Sequence, residues 1–273
     1  MYQANVFPLL VFFKNLNAMS KLPKENQFLD LSDYGRPFAK VIAQSLKDTS
    51  FTPIHVTIAF VISGLIAIAC ILNHYYWATA FFLVLKSILD AADGELARIK
   101  NTPSYTGRYL DSVSDIILNL LILMTIWYVT DESLALTILA FFGIQLQGTL
   151  YNYYYVILRN KHNGDTTSRV FENKTPKALK GEKQSNVNIL FRLYTLSYGV
   201  FDKIIYKMDA KAVEAQKLPN WFMTAVSTFG LGFQLLLIGI MLALDLKQYI
   251  IPFFIGYSIF ILVFIAIRRL INR

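Results

Sequence analysis

Long apolar runs with few charged residues constrain the fold of this chain more than any other feature of its sequence. A helix needs about 20 mainly apolar residues to cross a bilayer, and several runs here reach that length. Only 16% of the 273 residues are charged, against roughly 25% in an average soluble domain. These numbers exclude a water-soluble globule, and the single cysteine, Cys70, excludes a disulfide scaffold.

Six apolar runs are separated by polar or turn-forming breaks. They predict transmembrane helices at about residues 53–73, 75–98, 107–129, 133–158, 219–243 and 248–268. None of the runs alternates as the strands of a membrane barrel do, and only helices and closed barrels satisfy their backbone groups inside lipid. The predicted fold is therefore all-α, a polytopic membrane protein with six transmembrane helices.

The basic residues predict the orientation of these spans, because cytoplasmic loops retain an excess of lysine and arginine. Of the 26 lysines and arginines, 24 lie in residues 1–52, at 98–108, at 159–218 and at 268–273. We therefore expect both termini and these connections to be cytoplasmic. The formal net charge of +8 then matches anionic lipid headgroups rather than nucleic acid.

The expected organisation is a cytoplasmic N-terminal segment, residues 1–52, followed by a six-helix membrane domain at 53–273. In the first segment, apolar residues at helical spacing predict a juxtamembrane amphipathic helix; they are Phe38, Val41, Ile42 and Leu46. Residues 159–218 are expected to form a long basic cytoplasmic loop, with a second interfacial helix in its C-terminal half.

Four carboxylates near the cytoplasmic ends of the second and third predicted spans are the strongest functional signal. Asp90 and Asp93 are three residues apart, and Asp111 and Asp115 are four apart, so each pair shares one helix face. Acidic groups beside hydrocarbon are costly unless they are paired or bind a cation. These four residues are therefore predicted metal ligands.

The residue types also predict the kind of metal and its substrate. Oxygen ligands with no nearby His or Cys select a hard cation such as Mg²⁺, with Mn²⁺ as a substitute. Four carboxylates exceed what one Mg²⁺ usually takes from protein, so two ions are expected, with a diphosphate as their natural ligand. Arg98 is placed to pair with a phosphate, and small residues leave room for a nucleotide or a neighbouring helix: Gly94, Ala97 and Gly107.

The run from Asp90 to Asp115 resembles, at every fixed position, the signature of the CDP-alcohol phosphotransferases. In this sequence it reads Asp90-x2-Asp93-Gly94-x2-Ala97-Arg98-x8-Gly107-x3-Asp111-x3-Asp115. The eight fixed residues span 26 positions, and the predicted spans extend the resemblance over about residues 34–270. One departure is Ile54, since members of the family often carry Asn after the preceding proline.

The resemblance implies a transferase of phospholipid biosynthesis that moves a substituted phosphate from a CDP-linked donor to an alcohol and releases CMP. Asp90, Asp93 and Asp111 would hold the two ions. Asp115 would complete the second metal site and act as general base. The residues implied to accommodate the cytidine diphosphate are Gly94, Ala97, Arg98, Gly107, Pro53 and Thr57. The resemblance also implies a homodimer with its active site at the cytoplasmic face.

The two alcohols remain open at the sequence level, although at least one substrate must be a lipid. The leading hypothesis is transfer of a phosphatidyl group from CDP-diacylglycerol to a small polar alcohol. The alternative is headgroup transfer from CDP-choline or CDP-ethanolamine to diacylglycerol or another lipid alcohol. Outside the enzyme class, the same carboxylates could serve a divalent-cation carrier.

Five basic residues are further candidates for the site. Four would contact the phosphate of an acidic acceptor, although the positive-inside rule explains them equally well: Arg108, Arg159, Lys161 and Arg192. The fifth, Lys86, lies within the second predicted span and four residues before Asp90. We expect Lys86 to form an ion pair near the site or to contact substrate.

Overall fold

A computed structural model of the chain describes residues 22, 27–161 and 174–273, and every regular element among them is a helix. Short 3-10 turns at Leu31–Asp33, Ala210–Glu214, Ser227–Phe229 and Lys247–Tyr249 join or extend the α-helices. These helices are α1 (Arg36–Leu46), α2 (Pro53–Leu72), α3 (Tyr76–Ile99), α4 (Tyr105–Thr130), α5 (Leu134–Lys161), α6 (Gln184–Met208), α7 (Asn220–Val226), α8 (Leu231–Ala243), α9 (Ile250–Tyr257) and α10 (Phe260–Ile271). The all-helical class is confirmed. Most of residues 1–26 and residues 162–173, which belong to the two predicted cytoplasmic segments, lie outside the described residues.

Four helical stretches are long and apolar enough to cross a membrane: α2, α4, α5 and the 25 residues Lys247–Ile271, which contain α9 and α10. A fifth span results if Asn220–Phe229 and Leu231–Ala243, which meet at 54°, are counted together. Large apolar side chains such as Ile58, Ile62 and Leu121 remain exposed on these helices. A surface of this kind is costly in water and suits contact with lipid.

The second predicted span forms α3, a single helix of 24 residues. It is long enough to cross a membrane, but it is not among the helices that are also apolar enough. Charged side chains occupy its middle and its C-terminal half: Lys86, Asp90, Asp93, Glu95 and Arg98. Helices α1, α2 and α8 pack around it, and three of its charged residues are buried: Lys86, Asp93 and Glu95. Four or five of the six predicted spans are thus long and apolar enough to cross a membrane, and the six-span topology stays a prediction.

The helix predicted before the first span is present as α1. Ala39 and Ala43 are fully buried in a cluster with Ala92 of α3, because two alanines allow the helices to approach closely. Phe38 and Val41, by contrast, are 64% and 52% exposed. The helix therefore has an uncovered apolar edge, and its position on a membrane surface stays a prediction.

Local capping determines where α2 and α4 begin. Thr52 and His55 form a reciprocal capping box, and Pro53 is the first residue of α2 as the sequence predicts. At α4, the Oγ of Ser104 accepts a hydrogen bond from the backbone N–H of Gly107 at 2.8 Å. The two helix starts are adjacent, since a Cβ on Gly107 would lie 3.9 Å from Ile54.

Two glycines allow the close helix contacts that hold the centre of the bundle together. A Cβ on Gly239 of α8 would lie 3.1 Å from the Cα of Ala80 in α3. A Cβ on Gly64 of α2 would lie 2.8 Å from Leu118 in α4. A larger residue at Gly239 would push α8 away from the backbone of α3, whereas a larger residue at Gly64 would have to displace the buried Leu118 side chain.

A buried polar cluster ties the end of α6 to α5 and α10. The carboxylate of Asp209 accepts hydrogen bonds from Arg268 Nε at 2.8 Å and from the hydroxyl of Tyr154 at 2.7 Å. A second contact joins Asp209 to Arg268 Nη2. All three residues are buried, so this cluster should contribute to stability only while every member is present.

Replacing Asp209 with alanine should therefore destabilise the protein strongly. The change leaves the Arg268 guanidinium buried without its carboxylate, which costs about 3–5 kcal/mol. Thermal unfolding of the detergent-solubilised protein measures the effect as a lower melting temperature. The matched control is Asp48→Ala, whose carboxylate side chain is 86% exposed and 3.8 Å from Lys47; it should leave the melting temperature unchanged. Equal melting temperatures for the two variants would contradict a structural role for the cluster.

Candidate active site

A cavity of about 1470 Å³ is lined mainly by helices α2 to α6, with the start of α8 and the 3-10 turn at Leu31–Asp33 completing its wall, and we call it the polar cavity. The C-terminal half of α3 and the N-terminal half of α4 form much of its wall. All four aspartates of the sequence signature line it: Asp90, Asp93, Asp111 and Asp115. The helix faces predicted from the spacing of these residues therefore point into one shared space.

Three of the four aspartates form a compact cluster. Asp90, Asp93 and Asp111 each offer a carboxylate oxygen, and these oxygens lie within 4.8 Å of one another. Asp93 is held in place by Thr57, whose hydroxyl donates a hydrogen bond to its Oδ2 at 2.6 Å. The Oδ1 of Asp111 is buried and has no hydrogen-bond partner.

The fourth aspartate, Asp115, lies one turn further along α4 and contacts Lys86 of α3. The Lys86 ammonium donates a hydrogen bond to Asp115 Oδ1 and lies 4.9 Å from the centre of the Phe60 ring. Lys86 is completely buried, so its charge needs this partner. Of the two roles that the sequence predicts for Lys86, an ion pair or a substrate contact, the structure shows the ion pair, with a residue of the neighbouring helix as its partner.

The other end of the polar cavity is bordered by the small and basic signature residues. A Cβ on Gly94 would have only the guanidinium of Arg98 within 4 Å, at 3.6 Å, so packing alone does not require glycine there. Arg98 is paired with the fully buried Glu95 at 3.0 Å, and Glu95 also accepts a hydrogen bond from Arg36 at 2.6 Å. Glu95 thus holds Arg98 at the cavity wall beside the open space at Gly94. In this position the guanidinium can donate hydrogen bonds to a phosphate.

Glu182 fastens the chain segment before α6 to the start of α4. Its carboxylate accepts hydrogen bonds from the Ser104 hydroxyl at 2.8 Å, from the Thr106 backbone N–H at 2.7 Å and from the Leu179 backbone N–H at 3.0 Å. Burial raises the pKa of Glu182, but these hydrogen bonds outweigh burial and hold its pKa below the ordinary value. The segment can thereby border the cavity through Lys180 and Lys183.

The remaining predicted site residues divide into two groups. Those that line the polar cavity are Pro53, Thr57, Ala97, Gly107, Arg108 and Arg159. Lys161 and Arg192 do not appear among the described residues of its wall. Lys161 donates hydrogen bonds to the backbone carbonyls of Ala215 and Gln216 instead.

Several residues that the sequence does not single out as site residues also line the cavity. Tyr194, Tyr198 and Asp202 project from one face of α6, the helix that the sequence predicts in the C-terminal half of residues 159–218. Their spacing of four residues was the available signal, since it places all three on one face. Asn119 and Gln145 line the cavity from α4 and α5. Helix α6 therefore belongs to the site.

The carboxylate cluster fits a hard divalent cation. Its donors are all carboxylate oxygens, the ligand type that Mg²⁺ and Mn²⁺ prefer. The unpartnered Oδ1 of Asp111 is a buried acceptor that a cation would satisfy. Three negative charges this close together repel one another strongly unless they are neutralised.

Comparison with known proteins bears on this arrangement. The model of the family described as CDP-alcohol phosphatidyltransferase matches residues 51–179, which contain the start of α2 and all four aspartates. A comparison with curated proteins found no match. Members of the matched family are membrane enzymes of phospholipid synthesis that transfer substituted phosphate groups. The family resemblance of the signature is thereby confirmed over residues 51–179, and the family that this region matches is a group of transferases of substituted phosphate groups.

Proposed function

We propose that this protein transfers a phosphatidyl group from CDP-diacylglycerol to a small polar alcohol, with release of CMP, and requires Mg²⁺ or Mn²⁺. The observation that carries the proposal is the cluster of Asp90, Asp93 and Asp111 in a cavity that also holds the small and basic signature residues. A carrier function is set aside, because the matched family consists of transferases.

In this proposal the carboxylate cluster binds the cations, two of them when the donor is present, and Thr57 keeps Asp93 oriented toward the cluster. Bound cations would neutralise the diphosphate and stabilise the leaving CMP. The space beside Gly94 admits the donor, and Arg98 contributes a charge-assisted hydrogen bond to a phosphate oxygen. Ala97 and Gly107 leave room for the rest of the nucleotide, with Pro53 and Thr57 at the start of α2 beside it.

Asp115 acts as general base in this proposal and accepts the proton of the attacking hydroxyl. It faces the same cavity as the cluster, one turn deeper on α4. The Lys86 ammonium fixes its Oδ1, so we assign proton acceptance to Oδ2. A carboxylate fixed in this way can hold the alcohol close to the phosphorus atom. Such positioning supplies much of the rate enhancement over the uncatalysed reaction. No covalent enzyme intermediate is needed.

The proposed setting is the cytoplasmic face of a membrane, with six spans, both termini on that side and the polar cavity opening toward it. The distribution of lysine and arginine supports this orientation. In this arrangement α3 completes the six spans, with its charged half directed toward the cavity rather than toward lipid. We also propose a homodimer, by analogy with the family. Arg108 and Arg159, which line the polar cavity, are proposed contacts for a substrate phosphate, whereas Lys161 and Arg192 would contact a phosphate only outside the described wall of the cavity.

The function is tested by CMP release from the purified, detergent-solubilised protein with Mg²⁺. CDP-diacylglycerol is offered with a panel of polar alcohols, and CDP-choline and CDP-ethanolamine are each offered with diacylglycerol. We expect turnover with CDP-diacylglycerol. Turnover only with a soluble CDP-alcohol and diacylglycerol would reverse donor and acceptor, and no CMP from any pair would contradict the proposed function.

Asp111→Asn should abolish the stimulation of CMP release by Mg²⁺. The substitution removes a charged ligand of the cluster, and changes in residues that only support metal ligands already cost about 10–100-fold. We therefore expect a loss of more than about a hundredfold, measured as the initial rate over a Mg²⁺ titration. Asp48→Asn is the control and should retain the wild-type rate. A Mg²⁺ response of Asp111→Asn equal to that of wild type would contradict the assignment.

Asp115→Asn should lower kcat while the Michaelis constant for the CDP-linked donor changes little. An amide keeps the shape of the side chain but cannot accept the alcohol proton, and general-base catalysis contributes about 10²–10⁴-fold. Steady-state kinetics with the donor concentration varied separates the two parameters. A variant that keeps the wild-type kcat would show that another group accepts the proton.

A further inference from the structure

Three buried polar side chains from the middle of α4 and α5 line the polar cavity, and we call them the deep polar wall: Asn119, Gln145 and Thr149. Gln145 and Thr149 lie four residues apart on α5, so they share one face of that helix. Asn119 lies four residues after Asp115 on α4. The three residues are 8%, 4% and 6% exposed.

Two atoms of this wall have no hydrogen-bond partner. They are the Nε2 of Gln145 and the Oγ1 of Thr149, both buried. Buried polar atoms are nearly always paired in folded proteins, because an unmade hydrogen bond costs stability. An unpaired amide and an unpaired hydroxyl on one helix face therefore indicate a site that a ligand completes.

A neighbouring glutamine on the same helix shows how structural polar residues behave in this bundle. Gln147 is fully buried, and its Nε2 donates to the Ser258 hydroxyl at 3.0 Å. Its Oε1 accepts a hydrogen bond from Gln234 at 3.0 Å. Gln147 is absent from the described wall of the polar cavity. The two glutamines differ by two positions, and the one that faces the cavity is the one with an unpaired nitrogen.

The position of the deep polar wall indicates which substrate it contacts. Helix α4 runs away from its Ser104 cap, so Asn119 lies about one turn, or roughly 5 Å, deeper than Asp115. Gly94 and Arg98 lie on the other side of the carboxylate cluster, toward the end of α3 that meets the start of α4. A donor that occupies the Gly94 end leaves the deep end for the alcohol.

We propose that the deep polar wall is a binding subsite for the acceptor alcohol and holds its uncharged oxygen atoms while its reacting hydroxyl lies beside Asp115. This inference rests on the proposed function. The Gln145 amide and the Thr149 hydroxyl are uncharged, and each can donate a hydrogen bond to an oxygen. Two acceptors carry suitable oxygens: the further hydroxyls of a polyol, and the ester carbonyls of diacylglycerol.

The experiment compares Gln145→Leu and Thr149→Val with Gln147→Leu in the full-length, detergent-solubilised protein. CMP release is measured with the acceptor varied at saturating donor and then with the donor varied at saturating acceptor. One arm pairs CDP-diacylglycerol with a polyol, and the other pairs CDP-choline with diacylglycerol. The arm in which the wild type turns over identifies the source of the bound oxygens. Thermal unfolding of each variant is recorded in parallel.

We expect Gln145→Leu and Thr149→Val each to raise KM for the acceptor about three- to tenfold, the value of one neutral hydrogen bond. The donor KM should stay within about twofold, since the nucleotide binds at the other end. Melting temperatures should stay equal to wild type or rise, because each change removes an unpaired buried polar atom. Gln147→Leu should do the opposite, with a lower melting temperature and an unchanged acceptor KM.

Two results would overturn the inference in an enzyme that is active. One is a wild-type acceptor KM in both variants. The other is a lower melting temperature for both variants together with equal changes in the donor and acceptor KM values, which would make the wall a structural element. Failure of the proposed function has a different signature, because the wild-type protein would then release no CMP in either arm.

Discussion

The crowding of four carboxylates on two adjacent helices is the constraint on which the rest of the structure depends. Two unit charges 4.8 Å apart repel by roughly 3 kcal/mol at an effective dielectric constant of about 20. The described residues compensate only part of this charge. Lys86 neutralises Asp115, and the Thr57 hydroxyl contacts Asp93. Asp90 and Asp111 complete a cluster whose remaining negative charge bound divalent cations would offset, so the cluster is suited to hold a metal.

The same constraint explains why α3 differs from an ordinary membrane span. Its C-terminal half carries the charges of the site, so it lacks the apolar composition of α2 and α4. Neighbouring helices shelter these charges, and Glu95, which is fully buried, holds Arg36 and Arg98 together. Close packing against Gly239 of α8 keeps α3 inside the bundle. The helix therefore forms the wall of a cavity through residues that would be costly against lipid.

Much of this arrangement could be predicted from the sequence, because the signals are local. Apolar runs predict the main helices, Pro53 predicts the start of α2, and the three- and four-residue spacings predict that Asp90, Asp93 and Asp111 face one site. Features that depend on contacts between distant segments were not predictable. The partner of Lys86 is an example, since Asp90 lies closer in sequence but the rotation of α4 brings Asp115 to the ammonium.

Breaks within apolar runs were also missed. The run at 219–243 bends by 54° at Gly230, where the chain passes close to the 3-10 turn at Leu31–Asp33. Apolar residues continue on both sides of that bend, so a search for apolar runs does not locate it. The cavity-facing residues of α6 were not predicted either, because their sequence pattern fits two different environments. Tyr194 and Tyr198 resemble an aromatic surface of an interfacial helix until the packing of α6 against α4 is known.

The central claim is that the aspartate cluster binds the divalent cation on which phosphate transfer depends. Electron paramagnetic resonance of Mn²⁺ titrated into the purified protein tests this claim without relying on catalysis. The account predicts a saturable bound Mn²⁺ signal that Mg²⁺ displaces and that Asp90→Asn removes, while Asp48→Asn keeps it. A bound signal that is absent from the folded wild-type protein, or unchanged in Asp90→Asn, would contradict the account.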